Sequence, residues 1–269
     1  HMGVPGSAVA VILSQAISVI LCLFFVKYKF PILHLKKSDW MIKFDRTFYN
    51  SVYEHMRIGF PMAVQFSIIG IGIIIIQSVC NTFGSNVIAA LTAALRIEQI
   101  ATLPMMSFGV ALASYVAQNF GARKFKRIRL GVIKTSTINI ALSILMAFVM
   151  RIWGTDIIGA FIGTATEEII DIAHRYLLIS TIFYFFLGQI FIYRNALQGM
   201  GETIFPLFAC IAELIMRAFA AVYLAMKFGY IGIFYSGPIA WISASTILFL
   251  GYMGSIKHIV FKVKEKLHN

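Results

Sequence analysis

From Gly3 to Val26, and again from Ile58 to Leu95, the chain carries no Asp, Glu, Lys or Arg. An α-helix needs about 20 mostly apolar residues to cross a hydrocarbon core of roughly 30 Å, so either run is long enough to span a bilayer. Inside lipid, backbone N–H and C=O groups find no water, and a helix pairs all of them within one segment. Apolar residues make up 59% of the 269 residues and charged residues 13%, with a mean hydropathy of +0.84. Soluble domains sit near ~45–50% and ~25%. The fold class these numbers impose is an all-α polytopic membrane protein.

Seven spans are expected: Val4–Val26, Met56–Asn81, Val87–Gln118, Ile128–Met150, Glu168–Leu197, Ile204–Met226 and Gly232–His258. Turn residues separate them at 81–86, 119–121, 199–201 and 228–229. Thr164 with Glu167 has capping-box spacing ahead of the fifth span. Trp40, Phe44, Phe48 and Val52 recur every four residues among polar ones, after Ser38-Asp39. That pattern reads as an amphipathic helix on the inner leaflet.

The net charge of +12 would suit a nucleic-acid partner only if the basic side chains shared one soluble face. They lie instead in the gaps between apolar runs, so nucleic acid is excluded. Most of the 23 Lys and Arg fall on one side: between Lys27 and Arg57, between Arg123 and Lys134, at Arg194, and from Lys257 to Lys266. Arg151 and Lys227 fall on the other. The positive-inside rule makes the first side cytoplasmic, with the C-terminus among it. The N-terminal run lacks a basic leader and a small-residue cleavage site, so no cleavable signal peptide is expected. Cys22, Cys80 and Cys210 each lie inside an apolar run, an odd set that reads as small hydrophobes rather than a disulfide or metal framework. No G-x-S-x-G, H-E-x-x-H or P-loop motif is present, so the chain is read as a non-enzyme that needs no cofactor.

Spans one and seven both follow a GxxG turn, Gly3–Gly6 and Gly229–Gly232, and both run from outside to inside. If they are equivalent, they close successive six-helix repeats, a common transporter plan. Span two then reads Arg57-Ile-Gly59-Phe-Pro61, Gln65, Gln77-Ser78, Asn81 and Phe83-Gly84. Span three reads Leu95-Arg96-Ile97-Glu98 and ends Val116-Ala-Gln118-Asn119-Phe-Gly121-Ala122. Span five ends Arg194-Asn-Ala-Leu197-Gln198-Gly199-Met-Gly201-Glu-Thr203. Jointly, these motifs resemble the multidrug and toxic compound extrusion (MATE) family over essentially the whole chain.

The resemblance implies twelve helices in two lobes, exporting small organic cations in exchange for H⁺ or Na⁺ by alternating access. Residues 1–26 would be the last helix of a first lobe and 27–55 a cytoplasmic connector. Residues 56–258 would be the six-helix second lobe and 259–269 a basic tail. The partners implied are membrane lipid, the missing N-terminal lobe and the cargo, and the location is the plasma membrane. The chain departs from one branch of the family at two places. Where the resemblance implies an acidic cation ligand eight residues past Pro61 the residue is Ile69, and where it implies an aspartate in span five the residue is Leu187.

Charged groups at membrane depth cost about 2.5–3.5 kcal/mol each on insertion scales, so each needs a role. Arg96 and Glu98, two apart, face different sides of span three, near Pro104. Glu98 is either a protonatable pathway group or a structural partner of Arg175 or Arg217. Glu213 and Arg217 share a face as an ion pair, as do Asp171 and Arg175 near the outer surface. Gln65, Gln77, Asn81 and Gln189 either line a cavity or bond between helices. Met105, Met106, Phe108 and Phe185 form either a drug-facing wall or core. His174 reads as isolated and interfacial. Two rival functions share the topology. A flippase for phosphorylated lipid precursors or polysaccharide would use Arg96, Arg175 and Arg217. A seven-helix receptor or retinal protein fits the span count and orientation, and a retinal protein would need a mid-span lysine in the last helix, where only Lys257 at its end is present.

Overall fold

The computed structural model describes residues 3–31, 34, 45–163 and 166–268. Among them there is no strand. The helices are α1 (Gly3–Lys29), α2 (Arg46–Cys80), α3 (Ser85–Gly121), α4 (Phe125–Ile162), α5 (Glu167–Ile182), α6 (Tyr184–Gly199), α7 (Ile204–Phe228), α8 (Tyr230–Phe234) and α9 (Ser236–His268). Six helices are individually long and apolar enough to cross a membrane, and α5 with α6 makes a seventh, bent span. The chain is a polytopic all-α membrane protein.

Two compact units divide at residues 54 and 55. In the first, α1 exposes Ile12, Leu21, Phe24 and other large apolar side chains along its length, the surface expected of a helix whose solvent is lipid or another protein. The start of α2 is fixed by Asp45, whose Oδ1 accepts the Phe48 N–H at 2.9 Å, an N-cap that satisfies one orphan donor. The calls on Trp40, Phe44 and the Ser38-Asp39 cap lie outside the described residues. Phe48 and Val52 belong to α2 itself.

In the second unit α3 is the hub, packing on α4, α5 and α6, while α9 packs on α6 and α7. One apolar core runs through it, from Met105 and Leu112 on α3 to Tyr184 and Leu197 on α6 and Trp241 and Leu248 on α9. Helix α6 approaches α3 closely enough that a Cβ at Gly199 would sit 2.6 Å from the Ala113 carbonyl oxygen, so only hydrogen fits there. The reversals after α6 and α7 use Gly201 (φ 81°) and Gly229 (φ 62°), backbone that side-chain-bearing residues rarely adopt.

Four expectations need correction. The fifth span is not one helix. Phe183 breaks it, with its N–H on the Ser180 carbonyl at 2.9 Å, and α6 leaves α5 at 55°. Helix α4 does not stop at Met150 but runs to Ile162, so Arg151 lies within a helix rather than in a gap. The last helix does not end at His258 but runs on to His268. His174 is not isolated: it packs on Gly154, and its Nε2 faces the Met150 carbonyl at 3.3 Å. The Thr164 capping call lies outside the described residues, and α5 starts at Glu167 after Thr166, whose side chain makes no cap bond.

Candidate functional site

Helix α3 buries Glu98 through the spacing of its small residues. Ala90, Ala94, Ile97 and Ala101 are all buried, and Glu98 lies among them at 8% exposure. The ladder is loosened just beyond, because Pro104 has no N–H to give the Ile100 carbonyl. Thr102 Oγ1 donates to the Glu98 carbonyl at 2.9 Å. Arg96 points the other way, exposed, with Nη1 on Gln99 Oε1 at 3.2 Å.

Neither Arg175 nor Arg217 is the contact partner of Glu98. Its carboxylate accepts a hydrogen bond from the Tyr176 hydroxyl, at 2.5 Å. Arg217 makes its ion pair with Glu213 instead. Tyr176 is held by an edge-on contact with Phe234, with ring centroids 5.6 Å apart.

Tyr176 and Ser180 follow at four-residue spacing on one face of α5, and Tyr184 opens α6 just past the break. Ser180 Oγ lies beside Tyr176 without completing a hydrogen bond, and the Tyr184 hydroxyl is buried without a partner. The Tyr184 ring rests on Trp241 at 6.2 Å between centroids. Native interiors satisfy nearly all buried polar atoms, so a buried carboxylate whose one side-chain partner is a phenol is an uncommon arrangement. Discontinuous membrane helices recur at such sites because they free backbone groups at membrane depth.

A second polar region joins α2, α6 and α7. Glu213 on α7 takes Arg217 Nη2 on one oxygen at 2.7 Å and Arg194 Nη2 on the other at 3.3 Å. The expected Glu213–Arg217 pair is therefore a triad, and Arg194 belongs to α6 rather than to a basic gap. Gln198, one turn past Arg194, donates to Gln65 Oε1 on α2 at 3.3 Å. A cleft of about 80 Å³ opens beside the triad, lined by Ile69, Gly72, Cys210, Glu213, Leu214 and Arg217.

The remaining candidates scatter. Gln77 and Asn81 bond to each other, 3.2 Å, on an exposed turn of α2. Gln189 Oε1 accepts from Ser136 of α4 at 3.0 Å. Met105 is core, whereas Met106, Phe108 and Phe185 are exposed. Asp171 and Arg175 pair at 2.8 Å with both side chains over half exposed, an arrangement worth about 0–1 kcal/mol. Among the described residues no three His, Cys, Asp or Glu side chains gather as metal ligands. Tyr176, Ser180, Tyr184 and Arg194 were not singled out from sequence. The four-residue spacing of the three hydroxyls was the available signal.

The family described as MatE matches residues 61–224. The Probable multidrug resistance protein YoeA of Bacillus subtilis (strain 168) is 24% identical over 256 residues, covering 93% of this chain and 54% of the relative. The Probable multidrug resistance protein NorM of Thermotoga maritima is 24% identical over 268 residues, 99% of this chain and 53% of the relative. The chain thus spans about half the length of these curated relatives. A crystal structure of a MATE in the bent conformation superposes with a TM-score of 0.82 at 20% identity, over 97% of this chain and 57% of that one. Solved structure and chain share the fold, the relatives are named as multidrug resistance proteins, and the family match covers more than half of the residues: the chain belongs to the MatE family.

Proposed function

We propose that this chain is one lobe, with one helix of another, of a secondary active exporter that moves amphiphilic drugs, organic cations among them, out of the cell in exchange for H⁺ or Na⁺. Residues 56–258 form the lobe, 1–26 the closing helix of the first lobe, 27–55 the connector and 259–269 the cytoplasmic end. The protein sits in the plasma membrane with its C-terminus inside, and the cargo path runs between this lobe and its N-terminal counterpart.

One observation carries the reading. Glu98 is a buried carboxylate at membrane depth whose direct partner is a neutral phenol, next to a broken helix. A group that served only packing would be held by a cation, as Glu213 is. Tyr176 donates to the ionised form. Protonation or a bound Na⁺ removes the charge while oxygens of Tyr176, Ser180 and Tyr184 remain at hand. Loading and unloading that one charge is a differential interaction able to bias two arrangements of the lobe.

The test is flux in liposomes. The intact two-lobe protein, with a cationic dye and an imposed H⁺ or Na⁺ gradient, is expected to move dye against its gradient with one of the two ions. The 269-residue chain alone is expected to move none, because half the cavity is missing. Dye movement indifferent to both ions would sink the exchange reading, and ion-driven flux by this chain alone would sink the one-lobe reading.

A further inference from the structure

Where α3 turns into α4, the chain carries Arg123, Lys124, Lys126, Arg127, Arg129 and Lys134. No Asp or Glu occurs between Gln99 and Thr155, and among the described residues none of these six cations pairs with a carboxylate. This end of the helix pair therefore presents positive charge that nothing nearby balances. Lys134 stands apart from the rest, exposed and well inside α4. The next charged residue is Arg151, about 25 Å further along the helix axis. That interval approaches the thickness of a hydrocarbon core, roughly 30 Å, so Lys134 stands at the edge of the lipid, where its ammonium reaches the headgroups. Beside it the two helices leave an open groove of about 390 Å³, lined by Phe108, Leu112 and Tyr115 of α3 and by Leu130, Gly131 and Lys134 of α4. Gly131 shapes it: a Cβ there would stand 2.5 Å from Tyr115 Cε1, so glycine lets the ring seat against α4. The Tyr115 hydroxyl then donates to the Arg127 carbonyl at 3.4 Å, at the basic end of the groove.

We propose that this α3–α4 groove holds one anionic phospholipid, its phosphate at Lys134 and an acyl chain along Phe108, Leu112 and Leu130. Lysine binds phosphate as a compact point charge, and the five cations of the turn draw anionic lipid to the same surface. A soluble anion gains nothing from the apolar wall, and a neutral lipid gains nothing from the unbalanced charge. An acidic protein segment would meet the charge, but at the edge of the hydrocarbon its backbone groups would go unpaired. A lipid with a negative headgroup satisfies both parts of the groove. Because each helix supplies one wall, the bound lipid braces α3 against α4. The site depends on the bilayer placement of the chain and on neither the cargo nor the coupling ion.

The experiment uses the intact two-lobe protein in neutral detergent, offered equal amounts of phosphatidylglycerol and phosphatidylcholine with the same acyl chains. Retained lipid is counted by native mass spectrometry. Wild type is expected to keep phosphatidylglycerol as a discrete adduct, at several-fold higher occupancy than phosphatidylcholine. Lys134→Gln should lower that occupancy by about fivefold. Lys124→Gln removes the same charge from the turn, outside the groove lining, and should change it by less than about twofold. Ala111→Trp fills the groove from an exposed position on α3 without altering a charge, and should lower it as far as Lys134→Gln. Equal losses in Lys134→Gln and Lys124→Gln would reduce the effect to diffuse surface charge and overturn the site. Undiminished retention by Ala111→Trp, equal retention of the two lipids by wild type, or displacement of the lipid by inorganic phosphate would each overturn it as well. Should the variants not accumulate, phosphatidylglycerol with a photoreactive acyl chain decides on wild type. Adducts concentrated at 108–115 and 130–135 support the groove, and adducts spread over the other helices contradict it.

Discussion

Glu98→Gln in the intact protein should cut efflux of cationic dyes from cells by on the order of tenfold or more, with the amount of protein in the membrane unchanged. The substitution is nearly isosteric, keeps an acceptor for the Tyr176 hydroxyl and removes the charge that a proton or Na⁺ would neutralise. A coupling free energy of about 1–3 kcal/mol between two ligands corresponds to roughly 5–150-fold in affinity, and losing the site forfeits that factor. Because the buried charge disappears, stability should stay level or rise, which separates this outcome from misfolding. Tyr176→Phe removes the hydrogen bond, 2.5 Å long, while leaving the carboxyl in place. It should fall between wild type and Glu98→Gln. Unchanged efflux of several dyes in Glu98→Gln would reduce the residue to a packing role.

The second large effect is on folding. Gly232→Ala should abolish recovery of monodisperse protein in mild detergent. A Cβ on Gly232 would lie 2.2 Å from the backbone carbon and oxygen of Leu224 and 2.6 Å from the Ala225 nitrogen. Side chains can rotate away from an intruding methyl, but backbone inside α7 cannot. Overpacking a core costs about 1–3 kcal/mol where side chains yield, and here the whole α7–α8 contact would have to open. The turn before it depends on Gly229 at φ 62°, so the chain has no freedom to shift the short helix outward. Gly254→Ala on α9 is the control, since nothing lies within 4 Å of its added Cβ. Equal yields and melting behaviour of the two variants would contradict this account of how α7, α8 and α9 are joined.

How legible this was in the sequence differs between fold and site. The spans could be counted because a run such as Ile58–Leu95 has one physical solution in lipid, and the turns at Gly84, Gly201 and Gly229 were marked by residues suited to positive φ. The break at Phe183 was hidden. Residues 182–184 read Ile-Phe-Tyr, with no proline or glycine to mark the bend. The overruns of α4 past Arg151 and of α9 past Lys257 were missed because hydropathy reports where lipid ends, not where helical hydrogen bonding ends. At the site, Glu98 stood out because any carboxylate at that depth demands a reason. Its partner did not, since a tyrosine in an apolar span looks like any other aromatic. Arg194 was placed with the basic gaps because positive charge at a span's end usually faces water, whereas Glu213 on α7 draws it inward.

The most direct test of Glu98 as the coupling site separates exchange from driving force in liposomes holding the intact protein. Wild type should show both dye counterflow at equilibrium and uphill dye movement when an H⁺ or Na⁺ gradient is imposed. Glu98→Gln should keep counterflow and lose the response to the gradient. A Glu98→Gln protein that still concentrates dye in step with the imposed gradient would contradict the assignment.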